Sequence, residues 1–363
     1  MLVLMLQRGA LLLLLATCAL TCVWCKPPCP AFTLKGRPPT PDHSSDPSWC
    51  STRQLTYGDG TSPSLSPRAK QRRIIDTFTF NDEFDMLDIR LHTLWDVVDT
   101  FVIVESNTTF TGKPKQLHFL ENQGRYTEFM SKIHHYVMVY PQEMPPGQWE
   151  RERAARKAQF SLEQSLKGVA LTTDDLIVMA DLDELMDPSM LETLKWCDGA
   201  NLEYFCFNTH FSLYSYEYVS VNMPSWEHPN GFRYQEGVPG PEPVHFRGNK
   251  AAHGCFRNGG WHCSSCFDKL EQFQSKLTSY SHTEYNTPKN RHPATLLYRI
   301  TNGLDMAGGE LMQWRRAEPA NMTAPPIVLD NPQCYTFLIN RRQWLVDLAH
   351  SMAQHAPNTT RHL

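Results

Sequence analysis

Five apolar residues, Leu176 to Ala180, run from the acidic pair Asp174-Asp175 straight into Asp181-Leu182-Asp183-Glu184. A run this short, partly β-branched and bounded by acids, reads as a buried strand rather than a helix. It sets Asp181 and Asp183 at the strand's carboxyl end, where open α/β sheets carry their ligand sites. Alternate side chains of an extended segment point the same way, so both carboxylates can reach one cation. Hard oxygen donors suit Mg²⁺ or Mn²⁺, with water and phosphate completing the shell. A plainer role fits the same stretch. Asp183 or Asp187 could cap the next helix, because Asp187-Pro188-Ser189 places a capping residue before a proline at the first helical position. A calcium loop of the EF-hand type fits less well, since Leu185 and Met186 stand where a ligand and a glycine are needed.

The 363 residues allow one large domain or two modest ones, and 41% hydrophobic content supports a real core. A net charge of −4 leaves no basic footprint for nucleic acid. Arg8 precedes an uncharged, mostly apolar run from Gly9 to Trp24. Residues 1–25 therefore read as a signal anchor, or as a signal peptide cleaved near Thr17-Cys18-Ala19. Either directs the chain into the secretory pathway, and a thin early-secretory bilayer suits so short a span. Acceptor sequons at Asn107, Asn321 and Asn358 agree with that route. So do the cysteines: Cys197, Cys206, Cys255, Cys263, Cys266 and Cys334 could form three disulfides in an oxidising lumen.

Residues 26–71 are rich in Pro, Ser, Thr and Gly and read as a disordered stem; 72–350 read as the catalytic domain and 351–363 as a flexible tail. The domain opens with a strand over Arg72–Phe80, a helix within Asn81–Trp95 carrying Asp82 and Glu83 in its first turn, and a second strand over Phe101–Val104. Strand, helix and strand in about 30 residues form a βαβ unit and imply a parallel sheet. Glu105 then stands at another strand's carboxyl end, placed to bind a nucleoside or to accept hydrogen bonds from the following turn. His135–Tyr140 is a third strand, and Gln148–Lys167 is a helix whose Arg151, Arg153 and Arg156 could meet a diphosphate or simply face solvent. A helix over Pro188–Trp196 follows, then paired strands over Tyr204–Phe207 and Phe211–Tyr214. The fold class expected is α/β, with a mixed, mostly parallel central sheet. From Asn222 to Asn258 the chain is rich in Gly, Pro and aromatics, including Trp226, His228, Phe232, Tyr234, His245 and Phe246. It reads as an irregular loop, for binding sugar faces or pinned by its own rings.

Gly259-Gly260-Trp261-His262-Cys263-Ser264-Ser265-Cys266 is the second informative stretch. Its glycines permit close backbone approach to a ligand. Cys255, Cys263 and Cys266 with a histidine could hold zinc, but disulfides suit an oxidising lumen better. His262 could complete the aspartate-bound metal or contact a diphosphate, or be a structural histidine. Trp261 offers a face for an acceptor sugar. In Ser281-His282-Thr283-Glu284-Tyr285-Asn286, Glu284 is a candidate general base, or an ordinary surface acid. Segments over Leu296–Leu304 and Tyr335–Leu348 close the domain.

Four pieces in sequence resemble the bisecting N-acetylglucosaminyltransferase family, the β-1,4-mannosyl-glycoprotein 4-β-N-acetylglucosaminyltransferases. They are Phe80-Asn81-Asp82-Glu83-Phe84-Asp85-Met86-Leu87, Val98 to Asn107 with Thr111-Gly112-Lys113-Pro114, Asp174 to Glu184, and Gly260 to Phe267. The resemblance implies an A-type nucleotide-sugar transferase fold and a Golgi type II membrane enzyme with a lumenal catalytic domain; a secreted form after signal cleavage is the alternative. It also implies UDP-N-acetylglucosamine as donor, Mn²⁺ or Mg²⁺ held by Asp181 and Asp183, and the core β-mannose of N-glycans on glycoproteins as acceptor. Leu182, where the family pattern has alanine, and the stretch Ser281–Asn286 depart from it. The expected reaction is an inverting displacement. Another acceptor or UDP-sugar on the same fold, or a secretory glycan-binding protein without turnover, are the competing readings.

Overall fold

The computed structural model describes residues 33–354 except 36, 38–39, 145–146, 239, 242–253, 307 and 309–311, and the side chains of 349–354 are outside the description. The expected membrane segment, Asn358, His245 and Phe246 therefore lie outside the described residues. Among the described residues no helix is long and apolar enough to cross a membrane.

The first half of the chain runs β1 (Ser66–Pro67), β2 (Ile74–Phe80), α1 (Phe84–Leu94), β3 (Thr100–Ser106), α2 (His118–Glu121) and β4 (Ile133–Met138). It continues through α3 (Glu150–Gln159), β5 (Leu176–Asp181), β6 (Glu184–Met186), α4 (Pro188–Trp196) and β7 (Cys197–Asp198). The second half holds β8 (Tyr204–Leu213), β9 (Ser215–Ser220), β10 (Ser225–Arg233), β11 (Gly254–Phe256), β12 (Gly260–Ser264), α5 (Leu270–Ser279), α6 (Pro288–Arg291) and α7 (Pro293–Asn302). It closes with β13 (Trp314–Arg316), α8 (Pro326–Asp330), α9 (Thr336–Ile339) and α10 (Arg341–Gln354).

Strands β4, β3, β2 and β5 lie side by side in that order and are all parallel. Phe78 of β2 is flanked by Ile103 on one side and Ala180 on the other. The chain moves outward from β2 to β3 and β4, then returns to its other edge with β5. A crevice opens at such a reversal, beyond the carboxyl ends of the two strands. Both faces of these strands are covered, so their sequences are nearly continuous in apolar residues. Alternation divides them between two clusters. Ile74, Phe78, Val178 and Ala180 pack with α1 in the larger. Ile75, Val102, Ile177 and Met179 pack with Ala155 and Ala158 of α3 in the smaller.

The second half makes the sheet mixed, as expected, but not mostly parallel: five of the ten strand pairings among the described residues of the large sheet are antiparallel. The expected pair of strands around Phe207 and Phe211 is one strand, β8, because Asn208-Thr209-His210 contains no turn-forming glycine or proline. The reversal comes instead at Tyr214, which has a φ of 64°. The expected irregular loop from Asn222 contains a central strand, β10, antiparallel to both β5 and β8. Pro229 and Gly231 argue against a strand in sequence. Here the proline falls in a register shift between Glu227 and Asn230, where no ladder amide is required of it. The long basic helix is also shorter than expected, ending at Gln159.

The stretch read as a stem meets packed structure in its second part. Trp49 and Cys50 are buried against Trp196 and Cys197, and Cys50 is disulfide-bonded to Cys197. Leu55 enters the main core, and β1 pairs with β7. Average composition hides these few anchors among their polar neighbours. Cys206–Cys255 and Cys263–Cys266 are the other pairs among the described residues, and Cys334 is also disulfide-bonded. The zinc alternative is thereby removed, since three of its proposed ligands are oxidised.

One ion pair lies inside the sheet–helix interface. Arg90 of α1 and Asp76 of β2 are both fully buried and joined by two hydrogen bonds, Nε to Oδ2 at 2.7 Å and Nη2 to Oδ1 at 2.6 Å. Removing one partner of such a pair strands the other charge at low dielectric. Asp76→Ala should therefore cost about 3–5 kcal/mol, read as a lowered midpoint in urea unfolding. A loss under 1 kcal/mol would contradict this account.

Candidate functional site

At the carboxyl end of β5 the backbone turns sharply and leaves as β6, and the turn carries Asp181, Leu182 and Asp183. Three groups fix it. The remaining nitrogen of Arg90, Nη1, donates to the carbonyls of Asp181 (3.3 Å), Leu182 (3.1 Å) and Glu184 (2.7 Å). The buried Glu184 carboxylate accepts the Asp181 amide at 2.7 Å and the Trp226 indole N–H at 2.7 Å. The Cys263 amide donates to the Asp183 carbonyl at 3.1 Å. Leucine at position 182 turns inward and is buried. The two carboxylates are left on the open side.

They do not share one environment. Asp181 is held by both ends of the Arg156 guanidinium, at 2.7 and 3.1 Å, and Glu152 accepts from the same arginine at 2.9 Å. Burial works against the Arg156 charge, but Asp181 and Glu152 outweigh it and hold it firmly protonated. Asp183 instead has His262 Nε2 3.7 Å from its Oδ1, and its side chain keeps 23% of its exposure. His262 stacks on Phe211 with ring centroids 4.7 Å apart, and its buried Nδ1 has no hydrogen-bond partner among the described residues. No group of three or more His, Cys, Asp or Glu that could hold a metal ion is found among the described residues. Asp183 with His262 fits only a cation that takes most of its shell from water and phosphate, which is the habit of Mg²⁺.

Both aspartates open into a cavity of ≈ 490 Å³ at the crevice between β2 and β5. That volume lies within the usual range for small-molecule sites. Two carboxyl groups that the sequence reading left in the first turn of a helix face it, Asp82 and Glu83, just past the end of β2. Burial, then the neighbouring Glu83, pushes Asp82 up to about 7. Burial likewise raises Glu83; Lys276 opposes the shift and Asp183 adds to it. Lys115, Lys276 and Arg156 supply cations on the same lining. Adjacency to the carboxyl end of the first strand was the available signal for Asp82 and Glu83.

The other expected residues fall as follows. Glu105 lines the cavity, but its carboxylate accepts the amides of Phe119 at 2.8 Å and Leu120 at 3.3 Å, with His135 Nε2 at 3.0 Å. The carboxylate is thus engaged by the amino end of α2, 14 residues on, rather than by the turn that directly follows β3. Strand alternation sends His262 toward the cavity and Trp261 away from it, into the main core at 9% exposure. Gly260 is needed there for a different reason from the expected ligand approach. At φ 138° a Cβ would lie 2.0 Å from the Leu185 carbonyl, so the close approach is to β6. Glu284 is not on the lining. It is half-exposed and bonds His282 Nδ1 at 2.7 Å, and His282 does line the cavity. That hydrogen bond holds the Glu284 carboxyl below its usual range. Asn107 and Asn321 are exposed, as acceptor sequons require.

Residues 18–308 match the profile of Glycosyltransferase family 17. The chain is similar to the β-1,4-mannosyl-glycoprotein 4-β-N-acetylglucosaminyltransferase of Homo sapiens, 29% identical over 320 residues covering 77% of this chain and 57% of the relative. The protein of the same name from Rattus norvegicus is 28% identical over 327 residues, covering 77% and 56%. The chain thus spans just over half the length of the curated relatives it matches.

Asp82 yields a pH test. Its folded value, about 7, lies above the unfolded value, so the folded state binds the extra proton between them. The stability associated with that proton is complete below the unfolded value and is lost as pH rises through about 7. Asp82→Asn should therefore be more stable than the parent at pH 8, and the advantage should shrink toward pH 4. Urea titrations at both pH values measure it; an advantage independent of pH would contradict the assignment.

Proposed function

The chain belongs to glycosyltransferase family 17, and from that premise we propose that it transfers N-acetylglucosamine from UDP-N-acetylglucosamine to the core β-mannose of N-glycans, in β-1,4 linkage. The observation that carries the reading is the joint opening of Asp181 and Asp183, with three cations, into one cavity at the strand-order reversal. A diphosphate needs such cations, and an open α/β sheet binds nucleotides at such a reversal. The parallel order β4, β3, β2, β5 also supports an A-type nucleotide-sugar transferase fold.

Asp183, assisted by His262, would hold Mn²⁺ or Mg²⁺. When bound, the ion supplies Lewis-acid neutralisation of the departing diphosphate. Arg156, anchored by Asp181, and Lys276 add positive charge from the protein itself. Asp181 thus serves the donor through its arginine. In an inverting displacement the acceptor oxygen forms its bond to the anomeric carbon as the bond to the UDP oxygen breaks. The acceptor proton passes to a carboxylate. Glu83 is the cavity carboxylate best suited to it, because it lines the cavity, is electrostatically linked to Asp183 and has a raised proton affinity. Glu284, on the rim, suits that task less well.

The secretory reading of the first 25 residues, with a Golgi membrane anchor and lumenal domain, is part of the proposal. Disulfides among the described residues support an oxidising compartment.

The test incubates the full chain with UDP-N-acetylglucosamine, Mn²⁺ and a defined biantennary N-glycan, with products read by mass and linkage analysis. One N-acetylhexosamine added to the core mannose is expected. Asp183→Ala should lower kcat by about 100-fold or more, and chelator should act likewise. Metal-dependent UDP binding without transfer would redirect the search to another acceptor. The absence of both UDP binding and transfer in folded protein would overturn the proposal.

A further inference from the structure

The lining of the cavity is not uniform. Charged side chains lie at the strand ends, where Asp82, Glu83, Asp181 and Asp183 meet Lys115 and Arg156. Elsewhere on the lining stand three rings from two separate parts of the chain, Trp149 before α3 and Tyr280 and His282 after α5. They form one aromatic cluster with Tyr285. Trp149 meets His282 edge-on at 4.6 Å between centroids, Tyr280 lies 5.6 Å from it, and Tyr285 stacks on it at 5.3 Å with planes 24° apart.

Trp149 is the unusual member. It is half-buried, lines the cavity and packs with none of the three apolar clusters of the described residues. A tryptophan outside the core with its body toward a cavity is a typical binding anchor. The cluster is also braced. Gln148 accepts from Thr283 Oγ1 at 2.9 Å and donates to Glu284 Oε2 at 3.4 Å, tying the segment before α3 to the one after α5. Glu284 in turn fixes the ring of His282 through Nδ1 at 2.7 Å. Hydrogen-bonding groups therefore edge the rings, and no Lys or Arg belongs to the cluster.

We propose that Trp149, Tyr280 and His282 form a subsite for a pyranose ring of the acceptor, with Gln148 and Glu284 as positioning residues that hold the cluster. The occupant follows from the chemistry. Aromatic faces match the apolar C–H face of a sugar, and the surrounding amide, hydroxyl and carboxylate match its equatorial hydroxyls. A diphosphate has its cations elsewhere on the lining, at Lys115, Arg156 and, near Glu83, Lys276. This inference rests on the transferase reading above and gives Glu284 a role in holding His282, distinct from that of the base.

The experiment uses the full chain and the variants Trp149→Ala, Trp149→Phe and Glu284→Gln. Three quantities are measured: KM for the biantennary glycan, UDP affinity by calorimetry, and saturation-transfer NMR with methyl mannoside and methyl N-acetylglucosaminide. Trp149→Ala should raise KM for the glycan about tenfold, the equivalent of 1.4 kcal/mol, with UDP affinity kept. Trp149→Phe should restore most of the loss, and Glu284→Gln should raise KM less than Trp149→Ala does. The NMR signal from one of the glycosides should weaken in Trp149→Ala. Weakened UDP binding with unchanged KM would assign the rings to the nucleobase and overturn the proposal. An unchanged KM and an unchanged glycoside signal would overturn it as well. Should the parent protein transfer nothing, the failure lies with the transferase reading, and glycoside NMR on folded Trp149→Ala still decides the subsite.

Discussion

The guanidinium of Arg90 is the point on which the site depends. Two of its nitrogens meet Asp76 in the first strand of the sheet, and the third holds three carbonyls of the turn that carries the two aspartates. A buried ion pair of this kind gives little net stability when its desolvation is counted. What it gives here is position. A turn whose carbonyls are gathered by one guanidinium is fixed to the middle of a parallel sheet, so the carboxylates have a rigid base although they stand at a loop. Glu184 completes the arrangement from the other side by accepting the Asp181 amide.

The same design explains why the two aspartates differ. Asp181 faces α3 and is neutralised by Arg156, while Asp183 faces β12 and is left partly open beside His262. Six carboxyl groups of the described residues line the cavity, Glu105 and Glu152 among them, and would repel one another strongly if all were ionised and bare. The structure answers with three cations and with a proton, kept by Asp82 to about pH 7. Arg156 is already paired with Asp181 and Glu152, so an anion that meets it exchanges partners rather than creating them.

Much of the first half was legible in the sequence because it rests on local pattern. The β-branched run before Asp181, the βαβ unit through Glu105 and the capped helix after Asp187 each follow from spacing within about 30 residues; the Asp187 carboxylate does accept the Ser189 and Met190 amides. Features that depend on distant pairing were not legible. Arg90 and Arg156 look like ordinary helix surface residues until the fold sets one under the turn and the other against Asp181. Pro229 hid a central strand because it sits in a bulge of β10 that exists only in the pairing with β8, earlier in the chain. Trp261 and His262 are equal candidates in sequence, and only the face of β12 on which each falls separates them.

The disulfide between Cys50 and Cys197 has a mechanical meaning. It joins positions 147 residues apart, and the two-stranded β1–β7 pair lies beside it. A load that reaches the chain at Trp49 passes through a covalent bond into the end of α4 before it can travel along the chain to Ile74. The central strand, and the Asp76–Arg90 clamp hung on it, are thereby relieved of traction carried along the chain from Trp49. The covalent tie sits at the amino ends of β2 and β5, the opposite end of those strands from the two aspartates.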